Sequence, residues 1–251
     1  MRPFLLALRF LTIFPLRHAD DGGVEEIGRS ISFFPLVGAL QGIILAGLAY
    51  LLTSLLPWEL ISAIILVLLI LTNGGIHLDG LADTFDGLAG GRTRKERLRI
   101  MRDPQIGAIG VVAIVLILLI KFLLLKNIPH TIRYSTLFLL PVFGRWSIVP
   151  MAYWGDYARK AEGLGATFTE HTGRAHLIAA TTIAVVLSVI PIGIEALAYL
   201  LLLFISAYLW TLFFRKRLGG VTGDVFGFQS EISEVIFLLL IIIKHNGAIL
   251  L

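Results

Sequence analysis

Apolar residues run through this chain in blocks too long for the core of a soluble domain, and they lack the two-residue alternation of a half-buried strand. Bounded by Gly, Pro, Asn and charged clusters, the blocks predict seven membrane-spanning helices, at roughly residues 35–56, 60–76, 107–125, 135–152, 177–192, 196–214 and 235–250. Pro57-Trp58 and Pro191-Ile192-Gly193 read as tight turns, so the first and second spans, and the fifth and sixth, should form helical hairpins. Ahead of the spans, the stretch from Met1 to Arg17 has the apolar look of a signal peptide. Arg9 interrupts it and no small-residue cleavage site follows, which makes it a retained interfacial helix. The fold class is therefore all-α, a polytopic membrane bundle in a single catalytic domain over residues 1–251, with no internal repeat.

Composition agrees: 57% of the 251 residues are hydrophobic and 15% charged, and the mean hydropathy is +0.89. Cysteine is absent, which excludes disulfides, thiolate metal sites and cysteine nucleophiles and leaves Asp, Glu and His as metal ligands. The formal charge of +4 reports orientation rather than a nucleic-acid partner. With the N-terminus inside, 16 of the 21 Lys and Arg residues fall on inner segments and only Lys126, Arg133 and Lys244 on outer ones. That asymmetry places the N-terminus and every large polar cluster on the cytoplasmic face of the cell's inner membrane.

The first cluster follows the second span and contains Asp79, Asp83 and Asp86 with the spacing i, i+4, i+7. On a helix these carboxylates share a fan about 60° wide. Like charges so close repel unless a cation holds them, and oxygen-only ligands favour Mg²⁺ or Mn²⁺ shared with a diphosphate. The competing reading is a solvated acidic face. A second set, Gly219, Gly220, Gly223, Asp224, Gly227, Glu231 and Glu234, precedes the last span. Asp224 and Glu231 differ by about 20° on a helix, and carboxylates entering a span point into a protein-lined cavity. Its glycines permit close approach of a ligand, or of a neighbouring helix.

Six cations lie between Arg92 and Arg102. Most hold the loop inside, while Arg102 and Asp103, with Gly107 and Gly110 thinning the next helix end, are candidates for binding phosphate. Arg145 sits within a span between Pro141 and Pro150, where an unpaired charge costs about 2.5–3.5 kcal/mol. It must face a carboxylate or a substrate phosphate. Lys121 is expected to snorkel outward along the third span. His77 lies about 160° around the helix from Asp79, which argues against joint metal ligation and for a hydrogen-bonded histidine. His171 and His176, five apart, have poor metal spacing.

The run from Gly74-Gly75-Ile76-His77 through Asp79, Asp83 and Asp86-Gly87 is followed by Met101-Arg102-Asp103 with Gly107 and Gly110, then by Gly219-Gly220-Val221-Thr222-Gly223-Asp224 with Glu231 and Glu234. Together they resemble the cobalamin synthase family, the adenosylcobinamide-GDP ribazoletransferases. The likeness includes Phe34-Pro35-Leu36-Val37-Gly38, Tyr157-Ala158-Arg159 and Glu162-Gly163-Leu164-Gly165. It implies transfer of the adenosylcobinamide-phosphate group to α-ribazole or its phosphate, with release of GMP and a requirement for Mg²⁺. Asp79, Asp83 and Asp86 would hold the metal, with Asp79 and Asp83 catalytic, and Arg102 would offset charge on the leaving group. Glu231 or Glu234 would accept the ribose hydroxyl proton. Arg102, Asp103, Gly107, Gly110, Arg145, Gly223, Asp224 and His77 would contact substrate. The partners are these small molecules and membrane lipid, with homo-oligomers and other enzymes of the pathway left open.

Three other classes compete with this resemblance. A CDP-alcohol phosphotransferase would begin Asp-Gly-x-x-Ala-Arg, but here Asp79-Gly80-Leu81-Ala82 is followed by Asp83, not Arg, and the later Asp-x-x-x-Asp is missing. A membrane prenyltransferase would carry two Asp-rich motifs. A cation transporter would place its acids near the bilayer midplane within an inverted repeat.

Overall fold

The computed structural model describes residues 2–14, 23–159 and 163–247. Residues 15–22, Glu162 and the last residues of the seventh predicted span lie outside them. Among the described residues the fold is helical throughout, with one isolated bridge, between Tyr157 and Val221. The helices are α1 (Arg2–Leu11), α2 (Val24–Arg29), α3 (Phe34–Leu52), α4 (Trp58–Thr72), α5 (Ile76–Gly90), α6 (Arg94–Ile100), α7 (Ala108–Lys126), α8 (Arg133–Trp154), α9 (Leu164–His171), α10 (Arg174–Ile192), α11 (Ala196–Leu218) and α12 (Gly223–Gly247).

Five helical stretches are long and apolar enough to cross a membrane, or six if the bent pair α4 and α5 counts as one. One of the five runs from Arg174 to Leu218 and comprises both α10 and α11. Trp146 donates its indole N–H to Thr181 on α10 and stacks on Phe204 of α11. Those two residues would be roughly 35 Å apart on one straight helix, so the chain reverses between them, at Gly193 with φ +74°. The fifth and sixth spans are thus the expected hairpin. The second span differs from expectation. α4 ends at Thr72 rather than 76 and has only 15 residues, about 22 Å of helix.

α4 stops because Gly74 and Gly75 take φ +64° and +74°, a left-handed conformation open to glycine, and the Asn73 side chain accepts from the Gly75 N–H. The next helix, α5, leaves at 85° to α4 and runs across one end of the bundle against α12 and α7. Gly80 and Gly227 make this crossing close. A Cβ on Gly80 would lie 2.6 Å from the Asp224 carbonyl oxygen, and one on Gly227 would lie 2.9 Å from that of His77.

The bundle is built around α8, of which nearly every residue from Thr136 to Ala152 is buried. α3 lies against it through Gly38 and Gly42. A Cβ on Gly42 would come within 2.0 Å of the Phe138 carbonyl oxygen, and one on Gly38 within 2.4 Å of that of Pro141. This is small-residue packing, the means by which helices in lipid gain contact without a hydrophobic driving force between them. The outer faces of α7, α10 and α11 remain apolar and exposed, including Val115, Leu119, Leu123, Ile190, Leu201 and Leu209, as a lipid-facing surface requires. Substituting Gly42→Val should lower stability by roughly 1–3 kcal/mol through overpacking. Unfolding midpoints in bicelles, with Gly47→Val as the control because nothing lies within 4 Å of its Cβ position, measure the effect.

Candidate active site

The cross-lying α5 brings Asp79 and Asp83 beside Asp224, the second residue of α12. Asp83 lies on α5, beyond the end of the second span at Thr72, and burial raises its pKa to about 7, helped by the charges of Asp224 and Asp79 and opposed by Arg159. Among the described residues neither Asp79 nor Asp83 makes an ion pair. Asp224 does: Arg159 Nη2 lies 2.6 Å from its Oδ2, and the Thr222 hydroxyl 3.2 Å away donates to the same oxygen. Arg159 arrives on the segment after α8, which docks on the turn before α12. The Val221 N–H donates to the Asp156 carbonyl and the Ala158 N–H to that of Val221. Gly220 leaves no room for a side chain there, since a Cβ would meet the Asp156 oxygen at 2.1 Å.

Asp86 is used differently. Its carboxylate accepts from the backbone N–H groups of Gly107, at 2.7 Å, and Gly110, at 2.8 Å. It thereby caps the start of α7, where orphan N–H groups and the positive end of the helix dipole favour an anion. Gly107 and Gly110 are bare because the carboxylate occupies the space a Cβ would fill, at 2.4 and 2.3 Å. Both glycines therefore face Asp86. Asp103 binds the Gln105 N–H.

Two cavities flank the carboxylates. One, of about 550 Å³, lies between α1, α5, α9 and α12 and is walled by Leu6, Phe10, Ile27, Ile148 and Phe226, with Arg9, His77, Asp79, Gly223 and Asp224 also on its lining. His77 is buried, with the Asn73 amide 3.5 Å from its Nδ1. Phe10 is seated by Phe168, at 4.9 Å, and Phe34, at 5.9 Å. The other cavity, of about 700 Å³, is lined by Arg94, Lys95, Leu98, Arg99, Arg102, Ala158 and Arg159. Arg94 is oriented by the Ala158 carbonyl and Arg97 by those of Gly91 and Arg217. A capping box of Thr93 and Glu96 starts α6 and sets the pitch of these cations.

Glu231 and Glu234 lie elsewhere, inside the bundle. Lys121 Nζ is 2.6 Å from Glu231 Oε2 and 2.5 Å from Glu234 Oε2, and Arg145 Nη1 is 2.6 Å from Glu234 Oε1 and 3.0 Å from the Ser230 hydroxyl. Lys121 is 1% exposed. It therefore does not snorkel as its sequence position suggested; two carboxylates from α12 hold it inward. Of the two partners open to Arg145, the structure supplies a carboxylate. Neither glutamate lines either cavity.

No group of three His, Cys, Asp or Glu side chains among the described residues forms a metal cage by itself. The donor set nevertheless fits Mg²⁺, which takes one or two carboxylates and completes its shell with water and substrate phosphate. Among the described residues Asp79 and Asp83 could serve as such ligands, since neither makes an ion pair, while Asp86 caps α7. Sequence reading did not assign a role to Arg159, because its partner is 65 positions away and only the docking of two loops joins them. The cavity wall from α1 was equally invisible.

The fold is that of a polytopic helical membrane protein, with an acidic helix joined to a basic cavity through the ion pair of Asp224 and Arg159. Residues 3–242 match the model of the cobalamin-5-phosphate synthase family, and the chain belongs to that family. It is 36% identical to an adenosylcobinamide-GDP ribazoletransferase of Geotalea daltonii over 96% of this chain and 97% of that one. It is 39% identical to those of Desulforamulus reducens, over 94% and 95% of the two chains, and Pseudomonas savastanoi, over 95% and 98%. No solved structure matches.

Asp83→Asn should raise the stability of the metal-free protein near pH 8 while abolishing turnover. The sign follows from linkage: a carboxyl whose pKa is higher folded than unfolded costs stability as pH rises from about 4 to about 7, and Asn carries no charge. Thermal melts from pH 5 to pH 8 should fall in the parent and flatten in the variant. Lys121→Met should cost about 3–5 kcal/mol, because it strands Glu231 in the bundle, and adding Glu231→Gln should recover most of it. A double-mutant cycle on unfolding free energies measures the coupling.

Proposed function

We propose that this chain is a Mg²⁺-dependent adenosylcobinamide-GDP ribazoletransferase of the cell's inner membrane, with its N-terminus and active site cytoplasmic. The observation that carries the reading is the juxtaposition, at one end of the bundle, of uncommitted Asp79 and Asp83 with the cavity of Arg94, Arg99, Arg102 and Arg159. The names of its relatives supply the substrates, and the excess of Lys and Arg on the same side supports the orientation.

In the proposed reaction a ribose hydroxyl oxygen of α-ribazole or its phosphate forms a bond to the phosphorus attached to cobinamide. The bond from that phosphorus to the oxygen of GMP breaks, and GMP departs with the electron pair. The arginines grip the diphosphate and offset its charge, an electrostatic contribution that grows as charge moves to the leaving group. Asp79 and Asp83 would hold Mg²⁺, which when bound neutralises the diphosphate and stabilises the leaving phosphate. We assign receipt of the hydroxyl proton to Asp224, which lines the apolar cavity and is bridged to Arg159. Glu231 and Glu234 are weaker choices, because their oxygens are already engaged by Lys121 and Arg145.

Purified protein in nanodiscs should release GMP from adenosylcobinamide-GDP only when both ribazole phosphate and Mg²⁺ are present. Asp83→Asn should reduce release by at least about 100-fold. Turnover of a CDP-activated lipid with an alcohol, and no GMP release, would instead make the chain a CDP-alcohol phosphotransferase.

A further inference from the structure

The two cavities differ in chemistry as well as place, and resting on the transferase reading above, we propose that they divide the two substrates. The apolar cavity between α1, α5, α9 and α12 takes the aromatic base and ribose of the ribazole acceptor. The basic cavity between α6 and the segment at Arg159 takes the guanosine diphosphate end of the donor. The corrin ring stays outside both.

Charge decides the first assignment. The apolar cavity carries Asp79, Arg9 and Asp224, the last paired with Arg159, on a wall made mainly of Leu, Ile and Phe side chains. A diphosphate enclosed among those walls, away from the Mg²⁺ proposed at Asp79 and Asp83, would meet like charges in surroundings of low dielectric, which is costly. A neutral, flat heterocycle meets no such penalty and gains from Phe10 and Phe226, whose rings face the same space. The basic cavity has the opposite character: five of its seven lining residues are Arg or Lys and none is acidic. Guanidinium groups match phosphate oxygens two at a time.

Size decides the rest. A volume of about 550 Å³ lies in the range that encloses a nucleoside-sized ligand. A corrin macrocycle with its amide side chains and adenosyl group is several times bulkier and cannot enter. The ion pair of Arg159 with Asp224 joins the two spaces, since Arg159 lines one and Asp224 the other. A ribose whose base lies against Phe10 can therefore present a hydroxyl at this boundary, toward phosphates held by Arg159.

Gly223 provides a clean test. It lines the apolar cavity, and apart from its own chain neighbours and helix backbone no atom lies within 4 Å of where its Cβ would be. Gly223→Leu therefore adds bulk to the cavity from a position with room for the Cβ. Equilibrium dialysis of α-ribazole against wild-type protein, with no second substrate, should give saturable binding that Gly223→Leu weakens by roughly 10-fold or more. The same variant should leave the KM for adenosylcobinamide-GDP within about twofold, which also reports an intact fold, while a Lys95→Ala, Arg99→Ala pair should raise that KM and leave ribazole binding unchanged. Free dimethylbenzimidazole should compete with ribazole and not with the nucleotide, a readout on wild-type protein that needs no variant. Ribazole binding unaffected by Gly223→Leu, with the base competing against the donor instead, would overturn the division of substrates. Ribazole binding without any GMP release would leave the apolar cavity as its site and remove the transferase reading alone.

Discussion

Two positive and two negative side chains buried inside the bundle fix the arrangement of three helices. Lys121 of α7, Arg145 of α8, and Glu231 and Glu234 of α12 are each no more than 3% exposed, and each finds its counter-charge on another helix. In lipid a lone charge is expensive, so α7, α8 and α12 can rotate or slide against one another only by leaving a charge unpaired. Desolvation consumes much of what the pairs gain, and their contribution is better understood as register than as stability. Gly144 makes the contact possible: a Cβ there would lie 2.7 Å from Glu234 Oε1.

That register carries outward to the active end. α7 is fixed at Lys121, so its first turn presents the Gly107 and Gly110 N–H groups where Asp86 of α5 can bind them. α12 is fixed at Glu231 and Glu234, so its first turn brings Asp224 under Gly80 of α5. α5 is thereby tied at its two ends to the two helices that the buried charges lock, and the glycine bend at Gly74-Gly75 gives it the freedom to lie across them. The carboxylates held this way rest on helices, while Arg159 reaches them from a loop docked on the turn before α12, an arrangement that favours preorganised electrostatics.

Much of this was legible in the sequence for a physical reason: lipid allows backbone hydrogen bonds only within helices, so long apolar runs translate directly into spans. The hairpin at Pro191-Ile192-Gly193 and the helix carrying Asp79, Asp83 and Asp86 followed from local pattern alone. The length of α4 did not, because the apolar run continues past Thr72 and the bend depends on backbone angles at two glycines. Lys121 was misjudged because snorkelling and inward pairing look identical in one helix; the distinction rests on Glu231, more than a hundred residues away. Periodicity placed the three Asp side chains in one fan, but it could not reveal that Asp86 is consumed by the start of α7. Arg9 and Phe10, on the cavity wall, belong to a helix that reads only as an interfacial anchor.

The six carboxylates of α5 and α12 separate into two kinds according to whether the fold supplies a direct partner. Glu231 and Glu234 have Lys121 and Arg145, Asp86 has two backbone N–H groups, and Asp224 has Arg159. Among the described residues Asp79 and Asp83 have no ion pair or hydrogen bond of this kind, although Asp83 is half-buried among acidic neighbours and only the charge of Arg159 opposes them. A protein can maintain such an imbalance only at a cost in stability, and the cost is recovered when an external cation binds. Acidic residues completed from within hold helices together, whereas acidic residues left incomplete await something from outside. The two incomplete ones lie beside Asp224, whose ion pair with Arg159 joins the apolar cavity to the basic one.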